Sequence, residues 1–401
     1  MTNTVHFGLT PVGRAAAAGL AFAAVLAGTG CSSAPAHRPA TVPPSGSRSP
    51  SASAAAGSGL PGMPPPLDPR DVYAADRPGR LSPATAGALP YVYVPHTRSG
   101  DVYVIDQRTR RVVRRFPAGV EVQHVVPSYD LRTLYATADR SNALLPIDPR
   151  TGLPGRPIPV LDPYNLYFTP DGRYAVDVAE AGRALVFYDP HDWRPRHRLD
   201  VPGCAGVDHL DYSADGRLAV ASCEFAGRML VVDVPRQRVL RYLRLTRPGG
   251  MPQDVKLSPD GRYFYVADMM ANGVYQIDGA ARRVLRFIPT GRGAHGLYID
   301  RTSTRMFVTN RGEGSITVMQ PDSGRISAVW RLPGGGSPDM GGLDAAGTVL
   351  WLSGRYDGVV YAIDARNGRL LARIGVGDGP HGLCVWPQPG RYSLGHTGIL
   401  R

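Results

Sequence analysis

The chain has 401 residues, which is enough for one large domain with extensions. Its formal charge is +12, and Lys256 is the only lysine among the 45 basic residues. A basic surface attracts polyanions, but the arginine-rich segments lack the interleaved aromatic residues that favour single-stranded nucleic acid. The composition therefore does not favour a nucleic-acid partner and is typical of a solvated arginine surface.

Residues 1–30 have the features of a secretory signal. Arg14 precedes an apolar run over residues 15–27, which is too short for a spanning helix. The small residues that follow, up to Cys31, resemble a bacterial lipobox. This resemblance implies cleavage before Cys31 and attachment of diacylglycerol to its sulfur, which would hold the protein on the outer face of the membrane. Gly28 stands where Leu or Val is usual, so secretion without a lipid is the alternative.

Residues 31–67 predict a flexible linker. They consist mainly of Ser, Ala, Pro and Gly, with almost no large apolar side chain to bury. We assign residues 68–401 to the folded domain.

The folded domain is built from a repeat of 41 to 45 residues. A typical copy, GVVYAIDARNGRLLARIGV at 358–376, contains two β-strand patterns around an Asx/Gly turn. The equivalent marker positions are Asp106, Asp148, Asp189, Asp233, Asp278, Gln320 and Asp364. A hairpin repeat of this period is typical of a β-propeller blade, and seven copies predict an all-β, seven-bladed propeller.

A second hairpin, such as VKLSPDGRYFYVAD at 255–268, precedes the first in each repeat. Each blade therefore has strands A to D, with strand A innermost. The chain enters at 91–94 as a B strand without an A strand, and 382–386 matches an A strand without a cassette after it. The C-terminal strand is expected to complete blade 1, and the remaining residues, RYSLGHTGILR, are expected to lie elsewhere.

This topology divides the loops between two faces. The short A–B and C–D turns share one face, which we call the far face, and the more variable D–A and B–C loops share the near face. Binding residues commonly lie on variable loops carried by a rigid scaffold. We therefore expect a ligand or partner to bind the near face.

Polar residues occupy the start of strand A in every repeat, where they are expected to ring the mouth of the central channel. They are His124, Asn165, Asp208, His209, Asp254, His295, Asp339 and His381. Such a ring can bind a divalent metal, or supply a general base to a small ligand. Alternatively, these side chains hydrogen-bond water and neighbouring strands. No HxH or HExxH spacing favours the metal.

The B–C loops add a second set of candidates: Glu224, Asp268, Arg311, Glu313 and Arg355. Arg311 and Arg355 could bind a carboxylate or phosphate in common. Ordinary salt bridges, with Glu313 or Asp357, are the alternative.

Two of the remaining cysteines are placed to form a disulfide in the oxidising compartment to which the signal would direct the chain. Counting back along both strands from the turn at 213–216 places Cys204 nearly opposite Cys223. This arrangement predicts a disulfide between strands A and B. Cys384, within a channel strand, is expected to be a buried free thiol.

The segments YVYVPHTRSGDVYVID, FYVADMMANGVYQID and MFVTNRGEGSITV resemble the YVTN-repeat, YncE-like propellers over about residues 89–390. Related propellers include the haem-d domain of cytochrome-type nitrite reductase, seven-bladed lactonases and streptogramin lyases. The sequences around His295 and His381 are similar to strand starts in those families. No complete catalytic set can be transferred, however, and the chain has no CxxCH motif for covalent haem.

Three hypotheses remain at this point. The first is a monomeric, lipid-anchored, non-catalytic module that binds an envelope ligand or protein. The second is a lyase or lactonase-like enzyme that uses a channel-mouth histidine, with or without a divalent metal. The third is a haem or metal carrier.

Overall fold

A computed structural model describes residues 59–401; the predicted signal peptide, Cys31 and the linker up to residue 58 lie outside this range. The described chain forms seven antiparallel sheets, six with four strands and one with five. The predicted seven-bladed propeller is confirmed.

The strands follow the predicted order. Blades 1 and 2 contain β1 (Tyr91–Pro95), β2 (Asp101–Asp106), β3 (Arg111–Pro117), β4 (Val122–Pro127), β5 (Leu134–Ala138), β6 (Ala143–Asp148), β7 (Leu153–Pro154) and β8 (Ile158–Pro159). Blades 3 and 4 contain β9 (Pro163–Phe168), β10 (Ala175–Ala179), β11 (Ala184–Tyr188), β12 (Pro195–Asp200), β13 (Val207–Tyr212), β14 (Leu218–Cys223), β15 (Arg228–Asp233) and β16 (Arg238–Arg244).

The last three blades and the closing strand have the same layout. Blades 5 to 7 contain β17 (Pro252–Leu257), β18 (Tyr263–Asp268), β19 (Gly273–Asp278), β20 (Val284–Pro289), β21 (Ala294–Ile299), β22 (Met306–Asn310), β23 (Ser315–Met319), β24 (Ile326–Arg331), β25 (Pro338–Leu343), β26 (Val349–Gly354), β27 (Val359–Asp364) and β28 (Leu370–Gly375). The final strand is β29 (Cys384–Trp386), and short 3-10 helices lie at Ala74–Asp76, Pro83–Thr85, Asp139–Ser141 and Glu224–Ala226.

The C-terminal strand closes the ring, as predicted. Sheet 1 has the order β29-β1-β2-β3, and Tyr91 pairs with Trp386 while Tyr93 pairs with Cys384. Residues far apart in sequence therefore join the first and last parts of the propeller in one sheet.

Burial follows strand position within each blade. The A strands β4, β9, β13, β17 and β25 are buried at every residue. The outer D strand β3, in contrast, exposes every residue except Phe116. Its arginines prevent another strand from pairing with this edge.

The repeated aspartate stabilises the C–D turn. Oδ1 of Asp106 accepts hydrogen bonds from the backbone N–H groups of Arg108 and Thr109, and Oδ1 of Asp364 accepts one from Arg366. These are Asx-turn contacts, which explains why an aspartate marks nearly every repeat.

Residues 391–401, left unplaced by the repeat pattern, lie inside the central channel. Tyr392 stacks on Tyr129 near the far face, with ring centroids 5.2 Å apart. Deeper in the channel, the carbonyl of Leu394 accepts a hydrogen bond from Phe168 N (2.9 Å). His396 N donates to the carbonyl of Leu166 (2.8 Å), so this C-terminal tail enters from the far face and runs along strand β9.

The segment before the propeller helps to close the same end of the channel. The Tyr73 hydroxyl donates to the carbonyl of Leu257 (2.9 Å), and the Arg401 guanidinium lies over the Tyr73 ring. Arg401 also pairs with the buried Asp211 at 2.9 Å. Within the predicted linker, Leu60 is buried against the core of blades 3 and 4.

In the part of the chain from residue 59 onward, no helix has the length and apolar character needed to cross a membrane.

Candidate functional site

The predicted polar ring lies within the channel and is sealed from solvent. Seven of its eight residues lie in A strands, and His381 lies just before β29. All eight side chains are 2% exposed or less. The structure therefore brings the ring together, but below the channel opening.

One part of the ring is organised around the carboxylate of Asp339. Nδ1 of His295 and Nδ1 of His381 lie 3.0 and 2.9 Å from its two oxygens, and Arg311 Nη1 lies 3.1 Å from Oδ1. Burial raises the pKa of Asp339, but the charges of His295, Arg311 and Arg355 outweigh this effect and lower it. This carboxylate is already neutralised by protein partners.

The other part is a cluster of three imidazoles, from His124, His209 and His396. Their ring centroids are 4.7 to 5.5 Å apart, and one nitrogen from each ring lies within 4.8 Å of the others. Nε2 of each ring is buried and has no hydrogen-bond partner among the described residues. Burial lowers the pKa of His124 and of His396 well below the usual histidine value, which favours neutral rings.

Carboxylates adjoin this cluster. Oδ1 of Asp208 lies 2.5 Å from Nδ1 of His209, and Oδ1 of Asp254 lies 3.7 Å from Nε2 of His396. Burial lowers the pKa of His209, but the negative charges of Asp208, Asp254 and Glu224 outweigh it and raise the pKa above its ordinary value.

The sequence patterns did not identify His396, because residues 391–401 have no equivalent segment in any of the repeats. The tip of the tail requires unusual backbone: Gly395 has φ 105° and His396 has φ 51°. A Cβ at Gly395 would lie 2.4 Å from the carbonyl oxygen of Leu166. The available signal was a single histidine close to two glycines, in a segment that fits no blade.

A glycine also makes room for His124. A Cβ on Gly382 would lie 2.1 Å from Cδ2 of the His124 ring. The backbone at Gly382, just before β29, therefore lies closer to the His124 ring than a residue with a Cβ atom would allow.

Between the ring and the near-face opening, the B–C loops form the base of the near face, which we call the floor. It is acidic on one side and basic on the other. Glu180 and Glu224 lie on blades 3 and 4, whereas Arg311 and Arg355 lie on blades 6 and 7. Burial, reinforced by the charge of Asp208, raises the pKa of Glu180 to about 8 and that of Glu224 to about 7. Nη1 of Arg355 is buried without a hydrogen-bond partner.

Asp268 and Glu313, the other two B–C loop candidates, accept hydrogen bonds from their own loops and from the neighbouring D–A loops. Oδ1 of Asp268 accepts hydrogen bonds from the N–H groups of Met251 and Ala271 (2.9 and 2.8 Å). Glu313 accepts from Arg292 N (3.0 Å) and from the Ser315 hydroxyl (2.6 Å). These carboxylates shape the loops, and Arg311 pairs with Asp339 instead of with Glu313.

Five exposed apolar side chains, each on a different loop, lie on the same face as this floor, and we call them the apolar rim. Five large apolar side chains, all on near-face loops, are 59–63% exposed: Val120, Leu161, Phe225, Met270 and Tyr356. No other large hydrophobic side chain within residues 59–401 exceeds 50% exposure. The rim combines aromatic and thioether groups on the same face as the charged floor. The apolar rim could not be recognised from the sequence, since each of its members is an isolated residue on a different loop.

The predicted disulfide is present between Cys204 and Cys223, with Cα atoms 4.8 Å apart. It joins the segment before β13 to the end of β14. Cys384 is buried, as expected, and burial raises the pKa of its thiol, so it is protonated at neutral pH.

Solved structures with the same fold have diverse activities. The chain is similar to a structure of Kuenenia stuttgartiensis hydrazine synthase (20% identity, 64% of this chain, 87% of that chain, TM-score 0.54). It is also similar to dihydro-heme d1 dehydrogenase NirN in complex with DHE (17%, 80%, 79%, 0.57). A third similar structure is a candidate 6-phosphogluconolactonase of Bacteroides uniformis (18%, 73%, 98%, 0.60). At these identities the likeness concerns the fold alone.

The comparison with curated proteins gives no match. A family model, described as YNCE-like beta-propeller, matches residues 74–389, which are most of the chain and include every strand of the described blades. This chain belongs to the YNCE-like β-propeller family.

Proposed function

We propose that this protein is an exported, lipid-anchored binding module that holds a polypeptide partner on the near face of its propeller. The observation that carries the proposal is the apolar rim, because its five members are the most exposed large apolar side chains of residues 59–401 and share one face. Aromatic and Met side chains exposed on one face can serve as anchors for a protein partner, since these residues are enriched in protein interfaces.

The composition of the near face favours a protein partner over a polyanion. Aromatic residues, Met and Arg are enriched in protein interfaces, and here Phe225, Met270 and Tyr356 accompany Arg311. The Arg311 guanidinium lies 5.5 Å from the centre of the Tyr356 ring. Acidic and basic groups are both present on the floor, whereas a polyanion site would present one sign of charge.

The floor supplies polar anchors on the same face as the rim. Arg355 is half-buried, and its guanidinium carries several N–H groups that can donate to a carboxylate or carbonyl of the partner. On the opposite side, Glu180 and Glu224 can accept hydrogen bonds from an amine or guanidinium. A polar segment of the partner would therefore orient on the floor while apolar side chains cover the rim.

Export and anchoring remain part of the proposal and rest on the sequence. The predicted signal and Cys31 lie outside the described residues. The Cys204–Cys223 disulfide supports an oxidising compartment, where such bonds persist. The arginine-rich D strand β3, which disfavours edge pairing, supports a monomer. The enzyme and haem-carrier hypotheses stay predictions.

Site-specific photo-crosslinking in native cells tests the proposal. A benzophenone amino acid placed at Phe225 or Tyr356 should capture the same polypeptide, because both positions face the partner. The controls are Val113 and Val329, which are exposed on outer strands β3 and β24. Equal crosslinking patterns at rim and control positions would rule out a near-face partner.

A further inference from the structure

We propose that His124, His209 and His396 form a binding site for one divalent transition-metal ion inside the channel, with the C-terminal tail supplying the third ligand. This inference goes beyond the proposed partner binding and is independent of it. It rests on the convergence of three buried imidazoles, of which one comes from outside the blades.

The first argument is the number of nitrogen atoms that lack a partner. Buried polar atoms in proteins are nearly always hydrogen-bonded, so three orphaned Nε2 atoms in one cluster require an explanation. A metal ion would satisfy all three at once. In the Asp339 group, by contrast, Nε2 of His381 is buried without a partner but Nε2 of His295 is not, so one such nitrogen is present there instead of three.

The second argument is that the outer contacts suit metal-bound histidine. Nδ1 of His124 lies 3.0 Å from the carbonyl oxygen of Tyr164, to which it can donate its proton, leaving the Nε2 lone pair for a metal. Nδ1 of His209 lies 2.5 Å from Oδ1 of Asp208, an ion-pair contact, and Nδ1 of His396 lies 3.2 Å from Nδ2 of Asn165. A metal-ligating histidine usually has such a partner on its second nitrogen, which fixes the orientation of the ring.

The third argument is distance. Nitrogen ligands of a tetrahedral ion lie about 2.1 Å from the metal and therefore roughly 3.4 Å from one another. One nitrogen from each of the three rings lies within 4.8 Å of the others. Metal binding would therefore draw these nitrogens together by up to about 1.4 Å. Asp208 and Asp254 place two carboxylates beside the cluster, which compensate the charge of a divalent ion.

The ligand chemistry selects the class of metal. Three imidazoles without a thiolate suit Zn²⁺, Cu²⁺, Ni²⁺ and Co²⁺ and do not suit Ca²⁺ or Mg²⁺, which prefer oxygen. Three histidines also leave a fourth position open to water or to a carboxylate.

Metal binding would tie the tail to the blades. His124 lies in β4 and His209 in β13, whereas His396 lies at the tip of the tail with a left-handed backbone. Left-handed backbone in a residue other than glycine is uncommon and is frequently retained at functional sites. One ion would thus link two blades to the tail.

The test is calorimetric titration of the metal-stripped full-length chain with ZnCl₂ and with CoCl₂. We expect one ion per chain, and visible Co²⁺ absorption bands typical of nitrogen coordination. His124→Ala and His396→Ala should each weaken binding ~100-fold or more, since each removes a ligand. His295→Ala, in the Asp339 group, and the exposed double variant His191→Ala/His197→Ala should bind as the unaltered chain does.

A second readout covers the case in which a variant folds poorly. Zn²⁺ should slow tryptic cleavage after Arg391 in the unaltered chain but leave the rate unchanged in His396→Gln, which keeps a polar side chain at the tip. The proposal is overturned if no ion binds, if His396→Ala binds normally, or if binding is lost in the His191→Ala/His197→Ala variant.

Discussion

At the scale of single residues, the near-face floor places carboxyl groups where ionisation is unfavourable. Burial, with the nearby Asp208, raises the pKa of Glu180 to about 8. In the unfolded chain the group ionises near pH 4.3. The folded state therefore binds more protons than the unfolded state between these values, and the contribution of Glu180 to stability falls as pH rises through this window.

Glu180→Gln should consequently stabilise the protein at pH 8.5 by about 1–3 kcal/mol, and much less at pH 5, because glutamine keeps the uncharged form. Urea unfolding of the variant and the unaltered chain at both pH values measures this difference. An equal effect at pH 5 and pH 8.5 would show that ionisation of Glu180 is not responsible.

A second prediction concerns the backbone of the tail. Gly395→Ala should destabilise the protein by ~2–4 kcal/mol, since the added methyl group meets Leu166 and the left-handed backbone disfavours alanine. Gly249→Ala is the matched control: its φ is also positive, but no atom lies within 4 Å of the added Cβ. Thermal unfolding should show a clearly smaller shift for the control, and equal shifts would contradict the close contact.

At the scale of elements, local repetition explains what could be predicted. Each hairpin carries its own turn aspartate and glycine, so the blades, their number and the closing strand β29 follow from short-range patterns. The Cys204–Cys223 pair was predictable for the same reason, because both residues flank one hairpin. The position of the tail was not predictable, since His396 is placed by long-range contacts with β9 that have no counterpart in the repeats.

Two truncations separate the closing strand from the tail. Removal of residues 391–401 leaves β29 in place, so we expect a lower melting temperature but one cooperative transition. Removal from Gly379 onward also deletes β29 and its pairing with β1, so the ring should open and cooperative unfolding should be lost. Differential scanning calorimetry measures both. An unchanged transition after the longer deletion would contradict closure by the C-terminal strand.

The Cys204–Cys223 disulfide also stabilises the fold at the scale of elements. It closes a loop with a sequence separation of 19 residues, for which chain entropy predicts about 3 kcal/mol of stabilisation. Cys204→Ala/Cys223→Ala should lose about 2–4 kcal/mol in urea unfolding. Reductant should then lower the stability of the unaltered chain alone; an equal response of the double variant would show that another effect of the reductant is involved.

At the scale of the whole molecule, the two faces of the propeller are unequal. On the far face, Tyr73 and the tail fill the end of the channel. The near face instead presents the apolar rim and a floor of opposed charges. The A-strand polar ring could be located from sequence, but its complete burial could not, because the tail and the loops that cover it are not part of the repeat.

The most direct test of near-face binding is the dissociation constant of the purified protein with the polypeptide captured at the rim. Phe225→Asp/Tyr356→Asp should weaken this complex at least ~30-fold, which is about 2 kcal/mol, because charges replace two exposed aromatic anchors. Val113→Asp/Val329→Asp, on the outer strands, should leave the constant within about twofold. Equal affinity for the rim variant and the unaltered protein would contradict the account.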